Sequence, residues 1–241
     1  MTARDDIWPP YFAVTVVTQT GSTNADLIVA AAEGAVDGTV LVADHQTAGR
    51  GRRDRRWDSE GSGNLLASIL FRRHLDPLHA LTQRVAVAAV RACQQVAGVT
   101  PSIKWPNDLL LDGRKLAGIL AQAGGAANRV YYVVVGLGLN IGWSPPDAAR
   151  LPQGSRDEVL FALLDVLSRQ LDASGSPDDI HDEYRSLLGT IGLEVRIELP
   201  HGDLFGTAVD VERDGRLVVE TDSGRQLVSA GDVIHMRPAA T

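Results

Sequence analysis

Apolar and polar positions alternate over residues 11–20, YFAVTVVTQT, and this period of two with its β-branched residues predicts a strand. Gly21-Ser22-Thr23-Asn24 breaks the alternation, and ADLIVAAAEG continues with helical spacing. Ser or Asn ahead of a helix is a favoured N-cap, and Gly34 suits its C-terminal end. TVLVADHQ is predicted as the next strand, and a loop rich in Arg and Gly separates it from a third, NLLASILFRR. Pro77 to Gly98 has a helical pattern. SIKWPND, LLLDGRKLAGILAQA and RVYYVVVGLGLNI read as further strands, with tight turns at Pro106-Asn107-Asp108 and Asp112-Gly113. Ser155 and Glu158 form a capping box ahead of the amphipathic VLFALLDVLSRQL, and Pro177-Asp178-Asp179 opens a last helix that ends near Leu188-Gly189.

Past Thr190 the pattern changes. EVRIELP, LFGTAVDVE, RLVVET and RQLVSAGDVIHMRP are short strands split by Gly/Asp turns, the signature of a small β-barrel rather than a continuation of the first sheet. The expected organisation is therefore α+β: a mixed sheet packed with helices over residues 1–189, then a barrel over residues 190–241.

The 241 residues hold 23 basic and 30 acidic side chains, a net charge of -7, which argues against a surface built throughout to hold nucleic acid. Cys93 is the single cysteine, so no internal disulfide forms and a reduced, cytoplasmic setting is expected. The start, MTARDDIWPPYF, lacks the apolar core of an export signal, and no apolar stretch approaches the ~20 residues needed to cross a bilayer.

Charge is nevertheless uneven. Gly49–Trp57 reads G-R-G-R-R-D-R-R-W: Arg50, Arg52, Arg53, Arg55 and Arg56 against Asp54 give +4 locally and leave -11 for the rest of the chain. Guanidinium groups so crowded repel one another, which predicts a loop that orders when an anion neutralises it; a solvated basic loop or a nucleic-acid contact is the alternative. The only two lysines, Lys104 and Lys115, fall in one segment, Lys104-Trp105-Pro106-Asn107-Asp108 and Gly113-Arg114-Lys115-Leu116-Ala117-Gly118. In a chain that otherwise uses Arg, a compact ammonium suits a single developing oxyanion, although a structural salt bridge would also account for either one. Gly136-Leu137-Gly138-Leu139-Asn140 ends a buried strand without the third glycine of a dinucleotide fingerprint; it is expected to let a flat ligand lie against the backbone, with Asn140 at its edge. Ser22-Thr23-Asn24 is either a plain helix cap or a polar-ring site, the cap being favoured on its own. No P-loop, no His/Cys metal spacing and no Gly-x-Ser-x-Gly turn is present in the sequence, and the six histidines, His45, His74, His79, His181, His201 and His235, have no ligand spacing.

In order along the chain, GSTN, QTAGRGRRDRRW, KWPNDLLLDGRKLAGIL and VVVGLGLNI closely resemble the biotin protein ligases over most of residues 18–142. The resemblance implies a class II synthetase or biotin–lipoate ligase-like fold followed by an SH3-like β-barrel. It implies an enzyme that joins biotin to AMP with Mg2+ and ATP, releases pyrophosphate, and passes biotin to a lysine of a biotin carboxyl carrier domain of an acyl-CoA carboxylase. By motif position, Ser22, Thr23, Asn24 and Gln46 would line the biotin pocket. Arg50, Gly51 and Arg52 would cover the biotin tail and the adenylate, while Arg55 and Trp57 order the loop. Lys115 would touch both carboxylate and α-phosphate, Lys104 would lie near the phosphates, and Asn107 and Asn140 would face the nucleotide. Arg50, Arg52 and Lys115 would carry the chemistry, with Mg2+ arriving on ATP and no dedicated metal site. Larger members carry an N-terminal DNA-binding domain; only 20 residues precede Gly21, so no DNA and no membrane partner is expected. The stretch from Gly142 to Gln153 is short for folding over an adenine, and Trp143 is a candidate to stack there. The competing readings are a lipoate ligase or octanoyl transferase, whose Arg/Gly motifs are spaced differently, and a nucleic-acid module using the Arg loop.

Overall fold

The centre of the molecule is LLASILF, strand β3 (Leu65–Phe71), every residue of which is buried. Such a run carries no solvent-facing alternation because both faces of its sheet are covered. β3 lies between β2 (Thr39–Gln46) and β7 (Arg129–Leu139) in a seven-stranded sheet. β1 (Ala13–Thr20) flanks β2 at one edge, and β6 (Arg114–Ala126), β5 (Asp108–Leu111) and β4 (Ser102–Lys104) follow β7 at the other. β1 and β2 are parallel and the remaining pairs antiparallel, so the sheet is mixed. The computed structural model describes residues 7–60, 63–73, 78–126, 129–172, 177–199, 202–229 and 231–235. His74, His201 and the first six residues, which the signal-peptide argument concerned, lie outside them.

The period of two decides which side chains meet which helix. Leu70 and Val134 pack with Leu27 and Ala31 of α1 (Thr23–Ala32). Leu65, Ala67, Ile69, Phe71, Val133, Val135, Leu137 and Leu139 join the larger core on the opposite face with α2 (Leu78–Ala97) and α3 (Arg156–Asp172). α2 packs against β6 and β7, and its buried positions are mostly Ala and Val, whose short side chains permit close approach. The same parity puts Ser68, Gly136 and Gly138 on the α1 face, and there the site forms.

The local signals are expressed as expected at several points. Gly34 adopts φ +101° after α1, and Ala35 N–H returns to Ala30 O at 2.8 Å. Glu158 Oε2 accepts from Ser155 N–H at 2.8 Å and from its hydroxyl at 2.7 Å ahead of α3. Asp112 (φ +52°) and Gly113 (φ +72°) make the turn between β5 and β6. Asp108 opens β5 instead of closing the preceding turn, and RQLVSAGDVIHMRP holds two strands, which brings the C-terminal strands to five.

After α4 (Pro177–Leu187), five antiparallel strands form the C-terminal sheet: β8 (Glu194–Leu199), β9 (Gly202–Val211), β10 (Leu217–Thr221), β11 (Gly224–Val228) and β12 (Asp232–His235), in the order β11-β10-β9-β8-β12. Trp105 ties this sheet to the first. Its ring is 2% exposed in the turn between β4 and β5, its backbone N–H donates to Thr190 Oγ1 at 3.0 Å, and its indole N–H donates to Gly215 O at 2.9 Å.

Candidate functional site

A cleft opens on the α1 face where β2, β7 and β6 run under the start of α1 and under the loop that follows β2. Much of its floor is polar, and Thr23 and Asn24 there are held by hydrogen bonds. Gln46, at the end of β2, accepts through Oε1 from Thr23 N–H at 2.7 Å and from the Thr23 hydroxyl at 3.1 Å. Ser68 Oγ lies 2.8 Å from Thr23 Oγ1 and donates to Asn24 Oδ1 at 2.6 Å. The Asn24 amide donates to Leu120 O at 3.1 Å and Gln122 Oε1 at 2.9 Å. Two segments distant in sequence, β3 and β6, thus hold one buried amide in a single orientation. Ser22 occupies the N-cap position of α1 with extended backbone (φ -158°, ψ 125°), yet its hydroxyl makes no capping bond. The favoured reading of this motif as a plain cap is therefore corrected: Gln46 satisfies the Thr23 N–H, and Ser22 lines the cleft.

The glycine pair also differs from expectation. A Cβ on Gly136 would stand 2.2 Å from Asn24 Oδ1, and one on Gly138 2.4 Å from Trp57 Cε2. The flat groups against this backbone are the protein's own Asn24 amide and Trp57 indole, so the glycines clear space for them. Gly118 on β6 assists, with an added Cβ meeting Trp57 Cζ3 at 3.1 Å.

Over the cleft, Arg52–Asp54 form a single helical turn and Arg53 takes the left-handed region at φ +53°. Trp57 N–H bonds Gly49 O at 3.0 Å and Gly51 N–H bonds Arg55 O at 2.7 Å, closing the loop on itself. Arg52 donates to Asn107 Oδ1 at 3.1 Å, and Asn107 Nδ2 donates to Ile119 O at 2.8 Å, which links loop, turn and β6. Arg53 donates to Glu198 O of β8 at 2.8 Å, so the loop also rests on the C-terminal sheet. Lys115, the second residue of β6, pairs with Asp108 Oδ1 at 2.8 Å and lies 5.5 Å from the centre of the Trp57 ring. Arg50, Arg52, Arg55, Arg56 and Lys115 line the cleft with one carboxylate, Asp108. Such a site favours anions strongly.

Ser22, Thr23, Asn24, Gln46, Arg50, Gly51, Arg52, Arg55, Trp57, Asn107 and Lys115 are all gathered at this cleft. Lys104 and Asn140 are not among its lining residues. Lys104 lies on the far side of the Trp105–Asn107 turn, in a crevice with Arg55, Glu198 and Val233. Asn140 is 2% exposed and donates to Ala149 O at 2.9 Å, while its Oδ1 is buried without a hydrogen-bond partner. The stretch after it folds back onto the sheet: Leu151 N–H bonds Asn140 O at 3.0 Å and Ala149 N–H bonds Lys115 O at 2.8 Å. Trp143 is half-buried, and its backbone N–H donates to Asn64 Oδ1 at 3.0 Å. His45, half-buried near the end of β2, is not among the lining residues. Ser68 and Gln122 were missed as site residues, although both follow from the alternation that places Gly136 and Gly138 on the site face. Asp108 reads from sequence as a turn residue whose side chain either braces its own backbone or reaches a ligand, and it lines the cleft.

A mixed sheet with its cationic loop over a polar pocket, followed by a small antiparallel β-domain, defines a class of acyl-activating ligases. The chain belongs to the biotin/lipoate A/B protein ligase family, whose model matches residues 12–140, and residues 190–236 match the biotin protein ligase C-terminal domain. It is 39% identical to a biotin–(acetyl-CoA-carboxylase) ligase of Mycobacterium tuberculosis over 92% of this chain and 88% of that protein. It is 30% identical to the ligase of the same name from Paracoccus denitrificans, over 90% of this chain and 98% of that one. Among solved structures, the biotin protein ligase of Aquifex aeolicus in complex with biotin and ATP superposes with a TM-score of 0.80 at 26% identity, covering 93% of this chain and 99% of that one. No helix among the described residues is long and apolar enough to cross a membrane.

Proposed function

We propose that the chain is a biotin protein ligase: it activates biotin with Mg2+-bound ATP to biotinyl-5′-AMP and pyrophosphate, then transfers biotin to a lysine of a biotin carboxyl carrier domain. The observation that carries this reading is the cleft itself, in which a buried amide network ends against a group of five cations. A fused ureido ring has amide-like edges that suit Ser22, Thr23, Asn24 and Gln46, and the valerate chain would lie under Arg50 and Gly51. Its carboxylate would then reach Lys115 and Arg52.

In the first step a carboxylate oxygen attacks the α-phosphorus of ATP, and the bond to the β-phosphate breaks. Carboxylate and triphosphate repel, so the principal task is to hold them together against that repulsion. Lys115, Arg50 and Arg52 would do so, while Arg55 and Trp57 hold the loop in place. Asn107 fixes Arg52 and thereby the loop. Lys104 would meet the outer phosphates from its crevice, and Asn140 would face the nucleotide. Bound to ATP, Mg2+ would neutralise part of the triphosphate charge; Asp108, the single lining carboxylate, is already paired with Lys115. The product is a mixed anhydride that water destroys, which gives a covering loop its purpose. Residues 1–189 would form the catalytic unit and residues 190–241 the accessory barrel, in a cytoplasmic enzyme. The test is incubation with biotin, Mg2+, ATP and a carrier domain, reading biotin on the carrier lysine by mass; lipoate as the sole accepted acid would overturn the reading.

A further inference from the structure

We propose that Asp108 is a catalytic residue of the transfer step, the base that receives the acceptor lysine and takes its proton; this rests on the ligase activity proposed above. Among the residues lining the cleft it is the only carboxylate. The neutral acceptors nearby are engaged: Asn107 Oδ1 holds Arg52, Gln46 Oε1 holds Thr23, and Asn24 Oδ1 holds Ser68. Asp108 opens β5, with Gly118 opposite it in register on β6. No side chain from that position covers it, and its own side chain remains 21% exposed while touching Lys115.

The chemistry of transfer needs such a group. The acceptor arrives as an ammonium, with an ordinary pKa of about 10.4, in a cleft lined by five cations. Without a local anion the encounter is repulsive. The same cations favour loss of the acceptor's proton, so a carboxylate need hold it only briefly. Once an adenylate phosphate draws the Lys115 ammonium, the carboxylate of Asp108 becomes available to the incoming one. The ammonium gives one proton to Asp108. The amine lone pair then attacks the acyl carbon, the bond from that carbon to the phosphate oxygen breaks, and AMP leaves with the electron pair. The second nitrogen proton passes to the departing phosphate, and Asp108 returns its own to water.

The test supplies synthetic biotinyl-adenylate, so that activation is bypassed, and follows AMP release in a single turnover. Two nucleophiles are compared: the carrier lysine, and hydroxylamine, which is uncharged at neutral pH and needs no base to free its lone pair. Asp108→Asn should slow transfer to the lysine by about 100-fold while the hydroxylamine rate changes little. Raising the pH should recover the variant's lysine rate by about tenfold per unit as free amine increases. Asp108→Glu should restore part of the lysine rate. Equal slowing of both nucleophiles, or slowing of neither, would overturn the assignment, since loss of folding or of Lys115 placement affects the two alike. A native protein that consumes the adenylate with hydroxylamine but never biotinylates a carrier would overturn the ligase reading itself.

Discussion

Gly136→Ala probes the site at its least tolerant point. The added methyl would sit 2.2 Å from Asn24 Oδ1 and 2.9 Å from its Cγ, on a central strand whose neighbours β3 and β6 prevent the backbone from retreating. The cheaper response is for the Asn24 amide to withdraw by about 1 Å, which carries its bonds to Ser68, Leu120 O and Gln122 beyond useful length. Three bonds at about 1 kcal/mol each make the loss roughly 3 kcal/mol. For a chain of this size that lowers the melting temperature by about 6–12 °C. If Asn24 holds the ureido ring, the biotin dissociation constant should rise about tenfold, the equivalent of one lost hydrogen bond of ~1.4 kcal/mol. The KM for ATP should stay within about twofold, because the cationic end of the cleft is untouched. Differential scanning fluorimetry and titration calorimetry with biotin measure the two effects. An unchanged melting temperature together with unchanged biotin affinity would refute the account of why glycine stands at this position.

Other consequences follow from the same geometry. Lys115→Ala should slow pyrophosphate release by about 100- to 1,000-fold while the melting temperature hardly moves, since that side chain is 44% exposed; near-native release would remove its role. Trypsin cleavage after Arg50, Arg52, Arg53, Arg55 or Arg56 should slow when biotin and ATP are added together, and unchanged nicking would argue against closure of the loop. Burial in α2 pushes the Cys93 thiol up to about 12, so the folded protein should resist a thiol reagent at pH 8 and react once unfolded. The sign for stability follows. The thiol is neutral when folded, so its contribution is fully present below the unfolded pKa and declines as pH rises through it towards about 12. Rapid native-state labelling would contradict this.

Much of the site could be read from local signals. GSTN, the Arg loop, the KWPND segment and the Gly-x-Gly strand each interrupt an otherwise regular pattern, because each is shaped by something other than core packing. Their grouping around one site was implied by the resemblance to the biotin protein ligases, not by charge or spacing. What occupies the glycine faces was not, since an amide from α1 and an indole from a loop arrive there only when β7 is placed centrally. Lys104 shows the same limit: it pairs with Asp108 across β4 and β5 and shares a crevice with it, yet only Asp108 also lines the main cleft.

The sequence by itself therefore determined most of the element order, the change to a β-rich C-terminal unit, the capping box at Ser155, the Asp112-Gly113 turn, and the family. These depend on periodicity and on short-range steric and hydrogen-bonding preferences, which act within a few residues. Only the tertiary structure decided that Ser68 and Gln122 orient Asn24, that the Arg loop rests on β8 through Arg53, and that Asp108 faces Lys115 in the cleft. Each of these depends on strand register and on which face of the sheet α1 covers. Those are set by packing the whole core, and no window of sequence contains them.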